Sequence, residues 1–191
     1  MAHDIFVVSQ YTTRPLIASI HSVSTLKYLA AYPPNLQQKF AVLLEQDRLS
    51  AYLLQKYPRV NNVPNDMALR EYVMRLKNQY IKKSQPLSKI VFDKKIHVVN
   101  NALGLHSFVS RVQGGKLKSK NEIRISTLFQ NTPIEFLNMI VVHELAHLKE
   151  KEHNKAFYQL CQHMLPDYHQ IEFDVRVYLT HLEEKGEVYQ K

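Results

Sequence analysis

The chain has 191 residues, 45% of them hydrophobic, a formal net charge of +8 and one cysteine, Cys161. This is enough apolar material for a substantial core, as one domain or a domain with an appendage, and a lone cysteine excludes an internal disulfide. No run approaches the roughly 18 apolar residues of a membrane span, and no charged segment leading into an apolar stretch opens the chain, so the expectation is a cytoplasmic protein with no membrane partner.

Residues 1–33 carry a short β-type run at Ile5–Val8 and no strong periodicity. From Leu36 to Tyr57 the pattern is helical, with Leu36, Phe40, Leu43 and Leu44 on one face and Pro58 as a stop. A second helix is expected from Asp66 to Lys83, where Leu69, Tyr72, Val73, Leu76 and Tyr80 recur at helical spacing. These stripes are read as packing surfaces rather than partner sites. Ser84-Gln85-Pro86 then marks a boundary between a mostly helical N-terminal extension, 1–83, and a second domain, 84–191.

The second part opens with strands. Ile90–Phe92 and Ile96–Val99 flank a short turn at Asp93-Lys94-Lys95. His106–Val112 and Glu122–Leu128 flank Gln113-Gly114-Gly115, which reads as a hairpin with a long basic tip. In its second strand Ile123, Ile125 and Thr127 alternate with Arg124 and Ser126, the period of a half-buried strand. Thr132-Pro133 opens a helix with proline in its favoured first turn. Further helices are expected over 154–165 and about 169–184, the last with Ile171, Val175, Leu179 and Leu182 inward. Cys161 falls on the apolar side of its helix and is expected to be a buried, inert thiol. The fold class is therefore α+β, a small antiparallel sheet packed on one helix. A free sheet edge would suit an extended peptide, held by strand addition.

That helix carries His143-Glu144-Leu145-Ala146-His147, an HExxH motif. Positions i and i+4 share a helix face, so both imidazoles reach one ion while Glu144 stands beside it. Zinc takes neutral nitrogen donors and keeps a position open for water, and a neighbouring carboxylate can accept that water's proton. Apolar neighbours, from Ile140 to Leu148, bury the helix, where an unpartnered His or Glu is costly. The third ligand is read as His153. Its spacing is that of the metzincin motif HExxHxxGxxH, but Glu150 stands where the glycine would be, so another turn is needed. Asn154 offers one as the N-cap of a new helix bearing Phe157, Leu160 and Met164 and stopped by Pro166. Glu172 is the alternative ligand, as in peptidases that use two histidines and a glutamate.

The segment from Ile140 to Tyr168, with HELAHL, His153, Phe157-Tyr158 and Leu165-Pro166-Asp167-Tyr168, resembles the YgjP-like family of small bacterial zinc metallopeptidases, related to the SprT-like and WLM peptidases. The resemblance covers roughly residues 88–182. It implies a zincin-like core, Zn2+ on His143, His147 and His153, and Glu144 as the catalytic carboxylate acting on protein or peptide substrates. The chain has no Trp, and Gly104-Leu105-His106-Ser107-Phe108 stands where members often carry Trp-Gly-Ser-Cys.

Charge supports a different class. Arg111, Lys116, Lys118, Lys120 and Arg124 concentrate on the hairpin 111–124, which could grip phosphates of nucleic acid, although an ordinary solvated surface is the simpler reading. The same metal site could also serve a nucleotide phosphohydrolase, since activated water attacks phosphorus as well as carbon. The single-ion motif with its adjacent glutamate favours the peptidase. Tyr168, His169 and His106 are candidates for a further donor, each read as structural or exposed.

Overall fold

The computed structural model describes residues 23–96, 104–113 and 116–189, in which helices outweigh strands. The expected run Ile5–Val8, the segment 97–99 and Gly114-Gly115 lie outside the described residues. A 3-10 segment, Val23–Leu29, leads to α1 (Pro34–Glu45) and α2 (Leu49–Lys56). The single helix expected over 36–57 is thus two. The break lies at Asp47, which takes a φ of 53°. Asp is one of the few residues to visit this left-handed region, and its carboxylate is held by Lys185 Nζ at 2.6 Å.

The two short helices lie against the C-terminal helix, α6 (Tyr168–Lys185). Phe40 and Tyr32 meet Phe173 edge to face, at 5.0 and 4.9 Å between centroids. Tyr52 and Lys56 of α2, and Tyr57 at its C-cap, converge on the fully buried carboxylate of Asp174, at 2.8, 2.6 and 2.7 Å. A buried carboxylate requires such partners, and here they join α2 to α6. Consequently α6 is not one-sided as expected. Beyond Ile171, Val175 and Leu179 it buries Phe173, Asp174, Val177, Tyr178, Thr180 and His181, because the N-terminal segment covers its second face.

Helix α3 (Asp66–Tyr80) begins as the sequence suggests, with the Asn65 side chain accepting from the Ala68 N–H. It ends three residues before Lys83 and packs on β1 (Leu87–Asp93), whose Phe92 N–H reaches the Asp66 carboxylate at 2.8 Å. Strands β2 (Gly104–Gln113) and β3 (Lys116–Ser126) form the expected antiparallel hairpin, but its tip is short. Gln113 already pairs with Lys116, so residues assigned to a long basic tip are strand. The sheet is not wholly antiparallel either. Its order is β1-β3-β2, and β1 pairs with β3 in parallel, Ile90 beside Ile123 and Phe92 beside Ile125. Asp93-Lys94-Lys95 does turn, with the Ile96 N–H on the Asp93 carbonyl, yet the strand before it finds its partner some thirty residues further on.

After a 3-10 turn, Thr127–Asn131, Pro133 caps α4 (Ile134–Ala146). Asn61 fixes this junction by donating from Nδ2 to the carbonyls of Phe129 and Thr132 at 2.9 and 2.7 Å. Helix α4 is apolar almost all round and is buried accordingly, between the sheet on one side and α5 (Lys155–Met164) and α6 on the other. No helix among the described residues is long and apolar enough to cross a membrane.

Candidate metal centre

The last turn of α4 supplies two histidines, and the chain then reverses. Leu148, Lys149 and Glu150 donate back to the carbonyls of Leu145 and Ala146, which closes the helix without a glycine. Asn154 caps α5 as expected, its side-chain oxygen accepting from the Phe157 N–H at 2.9 Å. This places His153 opposite the two helical histidines. Its Nε2 lies 3.2 Å from Nε2 of His143 and 3.2 Å from Nε2 of His147. Phe157, fully buried, underlies all three rings, with centroids 5.0 Å from His143, 4.7 Å from His147 and 4.7 Å from His153.

The donor set fits a metal ion. Nitrogens about 2.0 Å from a tetrahedral ion stand roughly 3.3 Å from one another, close to the spacing of this triad. Three lone pairs crowded together repel unless a positive charge lies among them. The far nitrogens are engaged elsewhere. Nδ1 of His147 is 3.0 Å from the Glu150 carbonyl, which can only accept, so that ring carries its proton on Nδ1 and keeps Nε2 bare. Nδ1 of His143 is 2.8 Å from the hydroxyl of Tyr168. Burial, and then the charges of His147, His153 and Arg176, hold the pKa of His143 down to about 3, and burial also lowers that of His147. Both are therefore neutral donors at neutral pH.

Glu144, 3% exposed, follows His143 on α4. Glu172, the alternative ligand, is not part of the cluster. Its Oε1 accepts from Nε and Nη2 of Arg176 at 2.9 and 2.6 Å, and the carboxylate is committed to that pair. Tyr168, passed over in the sequence as structural or exposed, is 1% exposed and touches a metal-facing histidine. Its only signal was its place in the Leu-Pro-Asp-Tyr ending. His169 is exposed and stacks near Tyr158, and His163 is exposed against Tyr80. Cys161 is buried, and burial pushes its thiol up to about 12. Of the basic hairpin, Arg124 is engaged by Asp93 and Glu122 at 2.8 and 3.0 Å; the side chains of Arg111, Lys116, Lys118 and Lys120, like that of His106, lie outside the described part.

A helix presenting HExxH to a third histidine, with a small sheet laid against it, defines a metal-dependent hydrolase. The sequence pattern of the YgjP-like family, described as a metallopeptidase domain, matches residues 48–176, and the chain belongs to that family. It is also 56% identical over 160 residues to the UTP pyrophosphatase of Escherichia coli (strain K12), an alignment spanning 84% of this chain and 96% of that protein. No solved structure matches the chain significantly.

Proposed function

We propose that this protein hydrolyses a nucleoside triphosphate, UTP or a close analogue, with release of pyrophosphate, and that the ion it uses is zinc held by His143, His147 and His153. The carrying observation is the 56% identity along nearly the whole of a protein named UTP pyrophosphatase. The chemistry of the centre agrees with it. A triad of imidazoles with no carboxylate among them leaves a bound divalent ion its full charge, and the chain as a whole is at +8, both suited to a polyanionic substrate. When bound, the ion supplies Lewis-acid stabilisation and lowers the pKa of water. Glu144, buried beside His143 in the last turn of α4, takes the proton of the attacking water. Phe157 and the bonds from Nδ1 of His143 and His147 hold the three rings in place. A zincin-like character of the core is part of this proposal.

A second reading, hydrolysis of peptide bonds by the same residues, is favoured by the description of the family as a metallopeptidase domain and by the single-ion HExxH arrangement. One experiment separates the two. The zinc-loaded protein is given UTP and, in parallel, an unfolded protein, and pyrophosphate and new peptide termini are measured. Pyrophosphate release that disappears in His147→Ala supports nucleotide hydrolysis. Digestion of the unfolded protein with no turnover of UTP or any other nucleoside triphosphate would establish the peptidase instead.

A further inference from the structure

We propose that Tyr168 is the positioning residue of the metal centre: its hydroxyl accepts the Nδ1–H of His143 and so presents the Nε2 lone pair of that ring to the ion. The inference rests on reading the triad as a metal site, and it concerns a residue that the motif does not contain. Imidazoles that ligate through Nε2 must carry their proton on Nδ1, and an outer acceptor that holds this N–H fixes both tautomer and ring rotation. For His147 the acceptor is the Glu150 carbonyl, a group of the same loop. His143 lies in the last turn of α4, and its acceptor comes from another element altogether. Its Nδ1 meets the Tyr168 hydroxyl at 2.8 Å.

The tyrosine is built to stay there. It is the first residue of α6, its N–H bonded to the Leu165 carbonyl at 2.9 Å, and its side chain is 1% exposed. Tyr158 and His169 flank its ring, at 6.4 and 5.5 Å between centroids. Burial keeps the group a neutral phenol at any working pH. Carboxylates commonly fill this outer position. A phenol in that place orients the imidazole without adding negative charge, and so preserves the positive field that a triphosphate would meet.

The test compares wild type with Tyr168→Phe, which keeps the ring and removes the acceptor. Zinc affinity is measured by competition with a chromophoric chelator, and the visible spectrum of the cobalt-loaded protein reports the ligand field. The expected result is a zinc dissociation constant raised roughly 10–100-fold, with an altered cobalt spectrum. The melting temperature of the metal-free protein should fall by only about 2–4 °C, the scale of one hydrogen bond. Tyr158→Phe, a neighbouring hydroxyl with no bond to the triad, should leave zinc affinity within about twofold. Imidazole nitrogen shifts of the metal-free wild type give an independent check that needs no variant, and should show His143 protonated on Nδ1. A proton on Nε2, or equal zinc affinity and identical cobalt spectra in wild type and Tyr168→Phe, overturns the role of Tyr168 and leaves the metal site standing. A wild type that takes up no metal overturns both.

Discussion

His147 and Glu150 are bonded to each other across the turn that ends α4, ring Nδ1 to main-chain carbonyl, at 3.0 Å. Glu150 occupies the position where a metzincin would carry glycine, and the loop that replaces that glycine contributes an acceptor of its own. Because the group is main chain, its side chain is dispensable. Glu150→Ala should keep zinc affinity within about threefold of wild type, whereas Glu150→Pro, which lacks the N–H that bonds the Ala146 carbonyl, should lose most bound zinc. Chelator competition on both variants checks this pair of outcomes.

The choice of third ligand is open to direct measurement. The protein should bind about one zinc per chain, and His143→Ala, His147→Ala and His153→Ala should each lower that occupancy sharply. Glu172→Ala should retain it, since that carboxylate is paired with Arg176. Elemental analysis after gel filtration decides; full zinc in His153→Ala together with none in Glu172→Ala would reverse the assignment.

Glu144→Gln preserves size and hydrogen bonding but cannot take a proton at neutral pH. Zinc content and melting temperature should stay close to wild type while pyrophosphate release from UTP falls roughly 10²–10⁴-fold. Undiminished turnover in this variant would remove Glu144 from the proposed proton transfer.

Acid should act on the centre in a defined direction. Burial first, then the neighbouring imidazoles, bring the pKa of His143 from 6.5 down to about 3. The unfolded chain takes up that proton near pH 6.5 and the folded one does not, so this stability is present above about pH 6.5 and is lost as pH falls towards about 3. Melting curves of the metal-free protein across that window should show a steeper decline for wild type than for His143→Gln. Parallel declines would mean that His143 titrates normally in the folded state.

Where the information was local, the sequence revealed it. Asn154 announces α5 because a cap and its helix lie within four residues, and the spacing of His143, His147 and His153 brings them within reach of one ion. Contacts made across the chain were hidden. Nothing near Ile90 says that its neighbour will be Ile123 rather than the strand after the next turn, and nothing near Tyr168 points to His143. The break at Asp47 escaped because apolar spacing carries on through it, while the left-handed residue leaves no periodic trace. The substrate was hidden for another reason. HExxH specifies how water is activated, and that requirement is nearly the same whether carbon or phosphorus is attacked, so the motif suggested a peptidase where a close relative is a UTP pyrophosphatase.

Cys161 lies on the buried face of α5, the helix whose Phe157 underlies the three histidine rings. With its thiol raised to about 12, it offers almost no thiolate to alkylating agents or peroxide while the fold is closed. Its reactivity is therefore a clock for the opening of the wall behind the centre. Iodoacetamide added to the intact protein marks only those molecules in which α5 has lifted away, and the protection gained on adding zinc measures how strongly the ion fastens that helix down.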